Sequence, residues 1–255
     1  MEVQTIVKSF NGANFMQQKS CQLINTLLFQ PLLDLFFPAL CFICENRLEN
    51  NRKIVCIHCL RQIPGFAPAA NDPFPDKKFN HAYILYNFNE SVRLLIHLLK
   101  YKGYFTLADY FADAIVQSFP GLLNTCYDYI LPVPLHQTRL RERGFNQSAV
   151  LGAAIGRKLG RAMSEDILIR RRNTPSQTHL NRTQRQQNVI DAFYCRTIRS
   201  DAHVLIIDDV ITTGSTINAC CQATRQAGAA QIDVLALAHP SATESPDLIS
   251  STELV

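Results

Sequence analysis

The chain has 255 residues, 47% of them hydrophobic, with 10 Gly, 12 Pro and a formal net charge of +4. That composition supports one packed core domain with a small attachment and excludes a low-complexity or collagen-like chain. The mild charge permits an anionic ligand or nucleic acid without demanding either, and the absence of Trp leaves base stacking to 8 Tyr and 15 Phe.

Residues 1–20 are polar and aperiodic and read as a flexible lead-in, followed by an amphipathic helix over 21–37. Leu23 to Ile43 has nearly the length of a membrane span, but Asn25, Gln30, Asp34 and Pro38 interrupt it, so no span is expected. No basic-then-apolar leader with a small-residue cleavage site opens the chain, which predicts a cytoplasmic protein. Nine Cys, an odd number, then point to reduced thiols or metal rather than disulfides.

Cys41-x2-Cys44 and Cys56-x2-Cys59, with eleven residues between the pairs, have zinc-knuckle spacing. Four protein thiolates would fill a tetrahedral Zn2+ and leave no open position, so the ion would be structural; this defines a zinc ribbon over 38–63. The competing reading is two stray thiol pairs. Cys21, Cys126, Cys195, Cys220 and Cys221 read as small core or surface residues. Pro64 to Pro75 has the composition of a linker, assigned to 64–79.

From His81 strands and helices alternate. His81–Phe88 reads as a strand, Glu90–Tyr101 and Thr106–Phe119 as helices, Tyr127–Val133 as a strand and Gly144–Leu159 as a helix. Asp166–Ile169 fits a short strand. Residues 170–190 are polar and Arg-rich and read as a long mobile loop, partly helical, with a plain solvated linker as the alternative. Val204–Ile207 is a buried strand, followed by a helix near Ser215–Ala227 and a last strand, Ile232–Ala238. The alternation predicts an α/β domain over 80–239, a parallel sheet flanked by helices. The tail, 240–255, has a disordered composition.

The most specific stretch is Val204-Leu-Ile-Ile-Asp-Asp-Val-Ile-Thr-Thr-Gly-Ser-Thr216. A buried strand here meets a small, hydroxyl-rich turn that opens a helix, where backbone N–H groups of Thr212, Thr213, Gly214, Ser215 and Thr216 can receive a phosphate. Asp208 and Asp209 would repel phosphate alone, but carboxylates accept hydrogen bonds from sugar hydroxyls. The pattern therefore predicts a ribose 5-phosphate held at both ends. If the strand continues through them, the two side chains alternate, one free for the diol and the other for loop or metal water. The blander alternative is an acidic strand end that merely starts a turn.

This stretch resembles the 5-phosphoribosyl-1-pyrophosphate (PRPP) loop of type I phosphoribosyltransferases. Leu131-Pro-Val-Pro-Leu-His136, Arg139-Leu-Arg-Glu-Arg-Gly-Phe-Asn-Gln147, Thr174-Pro-Ser-Gln177 and Arg182 to Val189 extend it to the competence protein F (ComF) family and its gluconate-utilisation-associated relatives. The resemblance spans nearly all of 30–238 and implies the type I phosphoribosyltransferase fold behind a zinc ribbon. It implies PRPP bound with Mg2+, whose pyrophosphate would meet Arg139, Arg141 and Arg143 after an early strand, the Arg fork matching phosphate oxygens; a solvated basic turn is the alternative. Lys100 is explained by the dipole of the helix it ends, and the resemblance adds a pyrophosphate contact. A mobile flap carrying Gln177 and Arg185 is implied to close over substrate. Asp208, Asp209, Arg143 and Arg185 are the catalytic candidates. His97 and His136 read as ordinary packed or surface residues.

The role implied is handling of incoming single-stranded DNA in the cytoplasm during natural transformation, with other competence proteins such as a DNA-uptake helicase as partners. A non-catalytic DNA-uptake adaptor that keeps the PRPP loop for ligand or single-stranded DNA binding is the alternative. Base salvage has less support, because no nucleobase pocket is recognisable.

Overall fold

The computed structural model describes residues 38–49, 54–67, 74, 76–171 and 192–240. The sequence-assigned lead-in and helix of 1–37, the Arg-rich loop with Gln177, Arg182 and Arg185, and the tail from 241 lie outside the described residues. The chain divides into two compact units between Gln62 and Ile63.

In the first unit a turn after Cys41 brings the chain back beside it. Cys41 N–H donates to the Asn46 carbonyl at 2.9 Å, and Glu45, at φ 58°, makes the tight left-handed turn. Helix α1, Ile57–Arg61, starts at Cys56, whose Sγ accepts from Cys59 N–H at 3.4 Å and caps the first turn.

The second unit is built on a four-stranded parallel sheet, ordered β1 (His81–Asn87), β6 (Gln231–His239), β5 (His203–Val210), β2 (Tyr129–Pro132). Buried on both faces, β5 and β6 carry near-continuous apolar runs, as a covered parallel sheet requires. On one face α3 (Thr106–Ser118) packs against α6 (Gln147–Leu159), and α6 lies on β2 and β5. Gly152 lets α6 approach closely: a methyl there would meet Met163 Cγ at 3.1 Å and Ile207 Cδ1 at 3.7 Å. Val204, Ile206, Ile232 and Val234 join a separate cluster with Ile217, Cys220 and Cys221 of α7 (Ser215–Gln226). Helix α2 (Glu90–Tyr101), capped at its start by Asn89, and the single turn α4 (Gly121–Asn124) complete the connection from β1 to β2.

Several boundaries differ from expectation. The segment assigned as linker, 64–79, sends two aromatic side chains into the core: Phe74 and Phe79 are buried among the sheet residues, while Phe66 N–H donates to the Leu85 carbonyl at 3.0 Å. Their apolar side chains outweigh the Pro-rich composition around them. Residues 137–143 form a helix, α5 (Gln137–Arg143), closed by Gly144 at φ 81°; the predicted Gly144–Leu159 helix starts only at Gln147, capped by Asn146. Leu168–Arg170 (β3) pairs antiparallel with Phe193–Cys195 (β4), outside the main sheet. β4 is too short to show alternation in sequence.

Candidate functional site

β5 runs on through both carboxylates to Val210, so their side chains leave the strand on opposite faces. Asp208 lines a concavity with Ile211, Thr212, Thr213, Gly214, Ser215 and Thr216. Its Oδ1 accepts from Ser148 Oγ at 3.0 Å and from Asp209 N–H at 2.9 Å. Asp209 faces α2 and α6: it forms an ion pair with Lys100 Nζ, and its Oδ1 accepts from Gln147 Nε2 at 3.2 Å.

The two carboxyls therefore ionise differently. Burial and the neighbouring Asp209 charge raise the Asp208 carboxyl well above the ordinary range, against the hydrogen bonds it accepts from Asp209 N–H and Ser148. Burial also opposes ionisation of Asp209, but the Lys100 charge and the hydrogen bonds from Lys100 and Gln147 outweigh it and hold that carboxyl below the ordinary range.

The turn after β5 reaches Gly214, which N-caps α7 at φ 76° without a side chain to cover the helix end. Only Thr213 Oγ1 turns back, accepting from Ser215 N–H at 3.4 Å and lying 2.8 Å from Ser215 Oγ. An uncovered first turn with two hydroxyls beside it suits an anion. A methyl on Gly214 would lie 3.3 Å from Phe74 Cδ1, so the loop rests on that ring.

Of the three predicted arginines, α5 separates their side chains. Arg143 joins the site: its Nη1 donates to Gln147 Oε1, its Nη2 donates to Tyr101 Oη at 3.2 Å, and its guanidinium stands 4.9 Å from the Tyr101 ring centre. Arg141 donates to Gln137 at 3.5 Å on the exposed side of the helix, and Arg139 is half-buried. A hydrogen-bonded chain thus runs Lys100–Asp209–Gln147–Arg143–Tyr101. His136 N-caps α5 through Thr138 N–H at 3.2 Å, and His97 lies against Tyr101 with ring centres 5.0 Å apart. Sequence reading had no role for Gln147, Ser148 or Tyr101. The Asn146-Gln-Ser148 start of α6 was a capping signal that could have placed Gln147 and Ser148 at a strand end.

In the first unit the Sγ atoms of Cys41, Cys44, Cys56 and Cys59 all lie within 4.8 Å of one another, and Cys44 and Cys56 are 3.8 Å apart. A tetrahedral zinc with bonds of about 2.3 Å has sulfur–sulfur edges of about 3.8 Å, so the cluster fits that ion. Backbone donors already favour thiolate: although burial opposes it, N–H groups of Cys44, Cys56 and Ile43 bring the Cys41 thiol down to about 6. Burial and the neighbouring thiols push Cys59 up. Cys220 and Cys221 are buried on α7.

Comparison with known proteins agrees with this architecture. Residues 146–255 match the family model of the phosphoribosyl transferase domain. The chain is 29% identical to the DNA utilization protein YhgH of Salmonella typhimurium over 78% of its own length and 96% of that protein. It is 26% identical to competence protein F of Haemophilus influenzae, over 80% and 98% respectively. Over most of its length the chain resembles the ComF family. Its fold is that of the type I phosphoribosyltransferases, with a zinc-ribbon-like cysteine cluster in its first unit. An adenine phosphoribosyltransferase is among the similar solved structures, with 18% identity, 62% of this chain and 79% of that chain covered, and a TM-score of 0.36. Among the described residues no helix is long and apolar enough to cross a membrane.

Proposed function

We propose that this protein binds PRPP at the Asp208–Thr216 loop and handles incoming single-stranded DNA during uptake, in the cytoplasm. One observation carries the ligand: a buried carboxylate, Asp208, shares a concavity with the open first turn of α7, pairing a diol acceptor with an anion cradle. In this reading the loop takes the 5-phosphate, Asp208 the ribose hydroxyls, and Arg143 the pyrophosphate together with Lys100, Arg139 and Arg141. Gln177 and Arg185 belong to the flap. Mg2+ would supply charge neutralisation to the pyrophosphate when bound. Zn2+ at Cys41, Cys44, Cys56 and Cys59 is structural. The DNA role follows the names of the relatives, and single-stranded DNA would be held through arginines with strong salt dependence.

Chemically, the ribose C1–O bond to pyrophosphate would break as a bond from C1 to an acceptor nucleophile forms, with pyrophosphate leaving. A second reading, the non-catalytic adaptor, is favoured by the engagement of Asp209 with Lys100 and Gln147, which leaves Asp208 as the carboxylate facing the concavity. Pyrophosphate release over a panel of bases and oligonucleotides separates the two: release above the rate of PRPP hydrolysis in buffer selects the enzyme, and PRPP binding without release selects the adaptor. Single-stranded DNA affinity that is unchanged on joint replacement of Arg139, Arg141, Arg143, Arg182 and Arg185 would remove the DNA part of the proposal.

A further inference from the structure

His239 ends β6 at the side of the sheet from which the phosphate loop departs. Its Nδ1 lies 2.6 Å from the carbonyl oxygen of Ile211, the first residue after β5 has lost its ladder. A carbonyl only accepts, so Nδ1 carries the proton. The N–H of the same Ile211 donates to the Ala238 carbonyl at 3.1 Å. Both polar groups of the residue that opens the loop are therefore gripped by consecutive residues of β6. The imidazole is itself fixed, edge-on to Phe66 with ring centres 5.7 Å apart and to Phe74 at 4.9 Å. Phe74 in turn supports Gly214 at the far side of the loop.

The Ile211 carbonyl and the Thr212 N–H belong to one planar trans peptide, in which the two bonds point in opposite directions. Holding the carbonyl against His239 therefore aims the Thr212 N–H away from His239. Ile211 and Thr212 line the concavity and His239 is not among its lining residues, so an N–H turned from His239 is available to an anion held there. If the carbonyl were released, the peptide could rotate and present an oxygen to the phosphate, which repels it.

We propose that His239 is a positioning residue for the phosphate loop, locking the 211–212 peptide with its N–H toward the anion. This rests on the PRPP reading for the identity of the anion, but not for the peptide orientation. Burial holds the imidazole below its ordinary pKa against the Ile211 hydrogen bond, so at neutral pH the ring carries one proton. The Nδ1 hydrogen bond exists in both the neutral and the protonated ring, so the lock itself does not depend on pH.

The test uses the full chain and two variants. His239→Asn keeps a donor near the position of Nδ1, whereas His239→Leu keeps the bulk and removes it. In ligand-free protein, the residual dipolar coupling of the Thr212 N–H reports its orientation, and the imidazole 15N shifts report the tautomer. We expect the proton on Nδ1 and a Thr212 coupling that is shared by wild type and His239→Asn but changed in His239→Leu. For PRPP with Mg2+, His239→Leu should bind roughly tenfold more weakly and His239→Asn within about threefold of wild type, a loss of about 1.4 kcal/mol for the former. An unchanged Thr212 coupling in His239→Leu, or a proton on Nε2, overturns the proposal. So does equal damage in both variants, which would mark a packing role against Phe66 and Phe74. If wild type binds no PRPP, the functional reading fails, and the coupling and tautomer still decide the lock.

Discussion

Lys100 stands in the last turn of α2, where the helix dipole alone would favour a cation, yet its ammonium reaches Asp209 and both side chains are almost fully buried. That pair lets two adjacent carboxylates share a strand end. Asp209, lowered by its partners, contributes stability that is present above about pH 4, the unfolded value, and lost as pH falls through the lower folded value. Asp208, raised by burial and by Asp209, binds its proton more tightly in the folded state, so its contribution falls as pH rises from about 4 through the raised folded value. Lys100→Met removes the only charge compensating Asp209 among the contacts described for it. We expect a loss of about 3 kcal/mol at pH 7 and a stability that declines as pH rises from 5 to 8, read by urea denaturation across that range. A pH slope equal to wild type would count against the ion pair. Gly214 offers a second test at this scale: at φ 76°, with Phe74 close to where a Cβ would sit, Gly214→Ala should cost about 1–2 kcal/mol and lower the melting temperature by several degrees.

Among the elements, β5 was legible because four apolar residues preceding two carboxylates have one economical placement, and its register puts Asp208 and Asp209 on opposite faces. Helices α2 and α3 were legible from apolar spacing, and the knuckle from cysteine spacing. The Arg139–Arg143 segment was not, since α5 buries no residue and so has no apolar stripe to announce it. Nor could composition show that Phe74 and Phe79 would reach the core, because burial depends on a partner surface distant in sequence. The contacts of Lys100 and His239 are likewise non-local: each is an unremarkable helix or strand end until the fold brings Asp209 or Ile211 to it. The opposite end of the sheet carries a network of the same kind. Buried Asp233 on β6 accepts from Tyr127 Oη at 2.9 Å, from His203 Nε2 at 2.9 Å and from His81 N–H at 3.2 Å, which joins β1, β5 and β6. Asp233→Ala should lose about 3 kcal/mol by leaving these donors unpaired, with an unchanged urea m-value. A loss under about 0.5 kcal/mol would show that water replaces the carboxylate without cost.

As a whole the molecule combines a thiol cluster that fits zinc with a phosphoribosyltransferase fold whose loop end carries both carboxylate and cation groups. Among the described residues of the first unit few apolar side chains besides the cysteines are buried, Leu48, Val55 and Leu60, so its order should depend on metal. Protein purified without chelator is expected to carry one zinc per chain; Cys56→Ser or strong chelation should abolish that zinc and expose the first unit to protease while the sheet remains folded. Retention of protease resistance after complete zinc removal would contradict this. The PRPP site decides the larger question, and calorimetric titration with PRPP, with and without Mg2+, addresses it most directly. The account predicts one site per chain, strengthened by Mg2+ and weakened at least about thirtyfold by Asp208→Ala, equivalent to about 2 kcal/mol, in a variant that retains the wild-type fold. No binding by wild type, or equal affinity in Asp208→Ala and Asp209→Ala and wild type, would contradict it.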